Sequence, residues 1–183
     1  MKQYVITFVM LVVAFCMQAQ ELKKGDEMPK FELTSSVYGD IKSTDLKGKV
    51  VLINLFATWC GPCQTELAEL QETLWPKYKN NKDFVMLVIG REHTDEQLQK
   101  YNERKQFTFP LYPDPKREVF SLFAEKYIPR AYLFDKEGKL IHSSVGYAEE
   151  EFQMLMDAIE SALKKLIKVV LRENATSLLN DEP

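Results

Sequence analysis

The fold turns on one stretch, Val50-Val51-Leu52-Ile53-Asn54-Leu55-Phe56-Ala57-Thr58-Trp59-Cys60-Gly61-Pro62-Cys63. Its first seven residues are apolar at odd and even positions alike, Asn54 excepted. A strand with one wet face alternates; a run apolar on both parities fits a strand covered on both sides, as in a largely parallel sheet. After the cysteines, Leu67, Leu70 and Leu74 recur at helical spacing until Pro76 weakens the pattern. The cysteine pair thus falls where a buried strand hands over to a helix. First-turn amides have no intrahelical partner, and the positive end of the helix dipole lies there. Both favour a thiolate at Cys60, which should titrate below the ~8.5 of a free thiol. Cys63, one turn inside, is shielded. Pro62 is tolerated because the first turn leaves its N–H groups unbonded in any case. A zinc site, a purely structural disulfide and chance spacing are the competing explanations of the pair. The first would need further ligands, and the only histidines are His93 and His142. The second would close a loop too small to constrain much of the unfolded chain.

Outward from this stretch, Phe84 to Ile89 is a second doubly apolar run. Ala131 to Phe134 is a third, joined to Lys139-Leu140-Ile141-His142 by the turn Asp135-Lys136-Glu137-Gly138. Upstream, Phe31 to Thr34 alternates, and a turn signal follows in Val37 to Ile41. Helical periods cover Thr94 to Lys105, Lys116 to Lys126 and a long stripe from Phe152 to Val170. The stripe reads as a helix packed on the sheet, because Glu149-Glu150-Glu151 at its start is unsuited to a membrane surface. Strands alternating with helices, then a hairpin and a last helix, give one three-layer α/β domain without repeats or linkers. His93 lies just past a strand end, where sites often gather, but a single histidine is more usually a surface residue.

The chain has 183 residues, 45% hydrophobic and 28% charged, with a formal charge of −3. That is one globular domain, and no basic face is available for nucleic acid. Residues 1–19 read as a secretory signal peptide: Lys2, a fourteen-residue apolar run from Tyr4 to Met17, then Ala19 before a polar segment. The run is shorter than the ~18 residues that suggest a membrane span. Membrane contact is therefore expected only if this segment is retained. Bulky Phe15 before Cys16 argues against lipidation there. Cleavage after Ala19 removes Lys2 and Cys16, which leaves a charge of −4 and only Cys60 and Cys63. In an oxidising compartment such a pair becomes a disulfide. The expected domain runs from 20 to 172, and 173–183 reads as a flexible tail.

Phe56-Ala57-Thr58-Trp59-Cys60-Gly61-Pro62-Cys63 resembles the active-site segment of the thioredoxin superfamily, and more narrowly the exported TlpA/ResA-like thiol:disulfide oxidoreductases. The resemblance spans roughly residues 25–165. It implies a thioredoxin-like three-layer sandwich with a central mixed sheet and an N-terminal β extension. Tyr127-Ile128-Pro129-Arg130-Ala131-Tyr132-Leu133-Phe134-Asp135 is similar to the family's cis-proline loop. By that likeness Pro129 is cis and faces the cysteines, and the Ile128 backbone pairs with substrate. Trp59 forms a shelf beside the sulfurs. Where thioredoxins bury an aspartate, this chain has Asn54, an amide that cannot carry a proton at neutral pH. Glu66 matches a glutamate of ResA-like proteins, one turn past Cys63, where it could act on that thiol. A solvated charge in the helix's first turns is the alternative for Glu66.

The resemblance implies an exported reductase of protein disulfides in the periplasm or cell envelope, cycling through a Cys60–Cys63 disulfide. It implies a membrane thiol reductase as electron donor, apocytochrome c or other envelope proteins as targets, and neither organic cofactor nor metal. Two other readings remain open. One is a peroxiredoxin-like peroxidase, suggested by Phe109-Pro110-Leu111-Tyr112-Pro113-Asp114, although the Pro-x-x-x-Thr-x-x-Cys arrangement is absent around Cys60. The other is a non-catalytic binding module that uses the Pro129 loop.

Overall fold

Strand β3, Val50–Phe56, has every residue buried, and its two faces look into two separate cores. The computed structural model from which this follows describes residues 21–180, with residues 165–180 as helical backbone. The expected signal peptide, 1–19, and Cys16 lie outside the described residues. Two short strands, β1 (Glu32–Leu33) and β2 (Ile41–Lys42), precede β3 as an antiparallel pair. This is the N-terminal β extension. A 3-10 turn, Ser43–Leu46, links them to β3.

Three strands lie parallel: β3, β4 (Phe84–Arg91) and β5 (Leu111–Asp114). On the other side of β3, β6 (Arg130–Phe134) and β7 (Leu140–Val145) run antiparallel. The order β5-β4-β3-β6-β7 makes a mixed five-stranded sheet. A parallel partner needs a long crossover, supplied between β3 and β4 by the helical path that starts at the cysteines. That path is α1 (Gly61–Glu69), a π-helical turn (Leu70–Leu74) and α2 (Trp75–Tyr78). Pro76 was expected to weaken the helix, yet the helical path continues through it. The turn before it is widened, with the Trp75 amide donating to the Leu70 carbonyl five residues back. A wide turn of this kind relieves the missing donor and ring clash of a proline.

Even-numbered β3 residues Val50, Leu52 and Phe56 pack with Leu67, Leu70 and Leu74, with Leu98 and Tyr101 of α3 (Asp95–Lys105), and with Phe152, Leu155 and Ile159 of α5 (Glu149–Asn180). Odd-numbered Val51, Ile53 and Leu55 pack with Phe31, Leu33 and Leu46 of the extension and with Phe120 and Phe123 of α4 (Phe120–Phe123). Helices, sheet, and a third layer of hairpin plus one-turn helix make the expected thioredoxin-like sandwich.

Two local readings change. The Lys116 to Lys126 period shrinks to the single turn α4: Arg117 sits at φ 60°, and the buried Asp114 carboxylate accepts from the Val119 and Phe120 amides. The chain then leaves the helix at extended Ala124. Leu111–Asp114 is a strand that its prolines concealed; as an edge it tolerates Pro113. Phe109, at the start of the Phe109–Asp114 segment, is fully buried and stacked on Phe107. Helix α5 runs from Glu149 to Asn180.

Gly90 of β4 pairs with Phe56, and a methyl group there would meet Leu98 Cδ2 at 2.8 Å and the Phe56 ring at 3.4 Å. Because Leu98 is buried, Gly90→Ala should destabilise the protein by about 1–3 kcal/mol through overpacking. A lowered urea midpoint at unchanged slope would show it; an unchanged midpoint would refute it.

Candidate active site

Beyond Phe56 the chain turns through Ala57–Cys60, closed by the Cys60 amide donating to the Ala57 carbonyl at 3.1 Å. Cys60 then caps α1, its Sγ accepting from the Cys63 amide at 3.2 Å. Pro62 lies in the first turn, as expected. The two sulfurs are bonded to one another, with Cα atoms 5.3 Å apart. Cys60 keeps 6% exposure and Cys63 none, so an incoming group meets Cys60 first. A sulfur accepting a helix-terminal N–H is stabilised as an anion. Among the described residues no cluster of three or more His, Cys, Asp or Glu could hold a metal ion.

Glu66, one turn past Cys63, is not a solvated charge. It is 3% exposed, and Asn54 Nδ2 donates to its Oε2 at 2.8 Å. Burial pushes its pKa up to about 7, with the Asn54 hydrogen bond pulling the other way. Asn54 occupies the centre of β3 on the helix-facing side, so both polar groups lie inside the core that holds Cys63. Asn54 Oδ1 is buried with no hydrogen-bond partner.

The loop before β6 comes to the same end of the sheet, because Arg130 pairs with Leu55 of β3. The Ile128–Pro129 bond is cis, and the Pro129 carbonyl accepts from the Gly146 amide at 2.9 Å. Ile128 packs against the core containing both cysteines. The buried Arg130 guanidinium ties the loop down, donating to Glu21 at 2.7 Å, Tyr132 Oη at 3.1 Å and the Lys126 carbonyl at 3.2 Å. Trp59 is 67% exposed, with the Arg91 guanidinium 5.8 Å from its ring centre. Tyr127, at φ 64°, is also exposed.

Sequence reading missed a set of contacts to the residues ahead of Cys60. His93 is buried rather than on the surface, and its Nε2 lies 2.7 Å from Thr58 Oγ1 and accepts from the Thr58 amide at 3.2 Å. Gln64 Nε2 donates to the Thr58 carbonyl at 3.3 Å, and the Tyr101 hydroxyl donates to Gln64 Oε1 at 2.7 Å. One signal was available. Parallel β3 and β4 both end here, with Phe56 opposite Gly90, so residues just past each end become neighbours.

Comparison with known proteins agrees with this geometry. The model of the AhpC/TSA family matches residues 24–143. The thiol-disulfide oxidoreductase ResA of Bacillus thuringiensis subsp. konkukian is 30% identical over 147 residues, covering 80% of each chain. A solution structure from Bacteroides thetaiotaomicron, assigned as a protein disulfide isomerase, superposes with TM-score 0.74 at 32% identity over 78% of this chain and 91% of that one. A crystal structure from Chlorobium tepidum, assigned as the thiol:disulfide interchange protein DsbE, gives 0.70 at 29% identity over 78% and 99%. Matched in sequence along most of its length and in fold around one cysteine pair, the chain belongs to the AhpC/TSA thioredoxin-fold family, is TlpA/ResA-like, and is a thiol-disulfide oxidoreductase.

Proposed function

We propose that this oxidoreductase is exported to the periplasm or cell envelope and reduces protein disulfides there, with Glu66 managing the proton of Cys63. The observation that carries the reading is a carboxyl group with its pKa near 7, buried one turn beyond the inner cysteine. A group poised at the working pH can both take and return a proton. In the reduced enzyme, the Cys60 thiolate attacks a substrate disulfide, forming a mixed disulfide and expelling one substrate thiolate. Glu66 takes the Cys63 proton. The Cys63 thiolate attacks Cys60 Sγ, forms the Cys60–Cys63 disulfide and releases the second substrate sulfur as thiolate. Two electrons pass to the substrate, and the expelled sulfur takes a proton. When protonated, Glu66 also offers a donor to the Asn54 amide, whose Oδ1 is without one.

The exposed Trp59 ring and the Ile128 backbone beside Pro129 are the contacts proposed for an extended substrate segment. The dithiol supplies the electrons, so no organic cofactor is called for. A membrane thiol reductase would restore the dithiol, and apocytochrome c is the envelope target that the TlpA/ResA likeness favours. Residues 20–172 form the working domain in this reading, after a signal peptide at 1–19. The reducing direction is supported by Gly61-Pro62 between the cysteines, the pair shared with thioredoxin.

Cys63→Ser should trap proteins as mixed disulfides on Cys60 that dithiothreitol releases, whereas Cys60→Ser should trap none. Equal yields from the two variants would refute the assignment of the attacking sulfur. Equilibration with glutathione should place the pair near thioredoxin's value of about −270 mV; a value near −120 mV would make it an oxidant and overturn the direction.

Glu66→Gln should slow resolution of a mixed disulfide by about 10²-fold at pH 8 and abolish a rise in rate with pH that is centred near 7. Stability should move the opposite way. The folded pKa of about 7 lies above the ordinary 4.5, so below pH 4.5 both states are protonated and burial of Glu66 costs no ionisation energy. Between pH 4.5 and 7 the unfolded state ionises first, and stability falls as pH rises. The oxidised glutamine variant should therefore match the wild type near pH 4 and exceed it by up to roughly 3 kcal/mol above pH 7. Parallel urea melts at the two pH values check this; an equal difference at both would contradict it.

A further inference from the structure

We propose that His93 is a positioning residue for Cys60, acting through Thr58. The proposal rests on Cys60 being the attacking sulfur. His93 lies just beyond β4 with 6% exposure, and both of its ring nitrogens are engaged. Nδ1 lies 2.7 Å from the Arg91 carbonyl, which can only accept, so Nδ1 carries the proton. Nε2 is then the acceptor, and two donors of one residue converge on it: the Thr58 amide at 3.2 Å and the Thr58 hydroxyl at 2.7 Å. The Thr58 carbonyl accepts from Gln64, which also reaches the Cys60 carbonyl at 3.4 Å and is itself fixed by Tyr101. Every polar atom of Thr58 therefore has a partner outside its own turn.

Thr58 and Trp59 are the two central residues of the turn that ends at Cys60. Rotation of the Thr58 peptide would swing Trp59 and shift the Cys60 Sγ off the Cys63 amide that stabilises its anion. The segment that presents His93 is itself tightly determined. Glu92 sits at φ 62°, a left-handed conformation that a non-glycine residue keeps only when its surroundings impose it. Its amide donates to the Asp114 carbonyl at 2.8 Å, and its carboxylate takes both Nε and Nη2 of Arg91. The Arg91 guanidinium lies 4.7 Å from the centre of the Phe120 ring and 5.8 Å from that of Trp59. The end of β4 thus braces both residues that lead into Cys60. A histidine that merely fills the core has no reason to aim its one acceptor at this turn.

The test measures the pH profile of iodoacetamide alkylation at Cys60, located by peptide mass, in the full chain carrying Cys63→Ser. His93→Phe keeps the ring's bulk and loses all three hydrogen bonds. It should slow alkylation at pH 7 about tenfold, the scale set by misplacing a reacting group, and move the midpoint to higher pH. His93→Gln, whose amide has an acceptor for Thr58 and a donor for the Arg91 carbonyl, should recover most of the rate. Thr58→Val added to His93→Phe should cost nothing more. An unchanged profile in His93→Phe, failure of the glutamine to rescue, or full additivity of the double variant each overturns the proposal. Thr58→Val alone removes only the hydroxyl and carries the test should the phenylalanine variant fail to fold; an unchanged profile there also overturns it. Wild-type Cys60 reacting no faster than glutathione would instead strike at the attacking role of Cys60, which separates the two failures.

Discussion

The rest of the structure depends on β3 having no wet side. Its seven residues are buried, its edges are taken by β4 and β6, and its faces are covered by two separate apolar cores. Such a strand has little freedom to shift, because a one-residue slip would exchange the two faces and repack both cores. The turn leading to Cys60 starts where this fixed strand ends. Attack on a disulfide requires a sulfur in a defined direction with its anion stabilised, and a helix start mounted on an immobile strand meets both demands.

The same burial creates the chemistry of Glu66. A carboxyl group at that depth resists ionisation, and one hydrogen bond from Asn54 offsets only part of the penalty. With an aspartate in place of Asn54, two acids would face each other and their titrations would couple. An amide leaves one carboxyl to titrate beside Cys63. Burial of this carboxyl group works against stability at neutral pH, one helical turn past the shielded Cys63.

The approach to Cys60 is held from β4 as well as from its own strand. Parallel pairing brings the ends of β3 and β4 together, so Arg91 and His93 meet Trp59 and Thr58 although more than thirty residues separate them in sequence. On the far side, β6 brings the Pro129 loop to the same end of the sheet, anchored through buried Arg130. Three strand ends thus enclose one accessible sulfur. Peptide substrates would meet a surface whose exposed groups include the Trp59 and Tyr127 rings.

Local pattern sufficed for much of this. Apolar residues on both parities marked β3 and β4, and the two-residue spacing of Cys60 and Cys63 at a strand-to-helix junction identified the reacting pair; the resemblance singled out Pro129 and Glu66. These features are set by the periodicity and chemistry of adjacent residues. The burial of Glu66, the bracing of Thr58 by His93 and the strand at Leu111–Asp114 were not legible in the same way. A carboxyl group on a helix reads the same whether it faces water or core, and a histidine past a strand reads as surface. Prolines at 110, 113 and 115 masked an edge that parallel pairing with β4 stabilises. Each of these depends on which distant segment packs against the residue, and only the closed sheet with its two cores decides that.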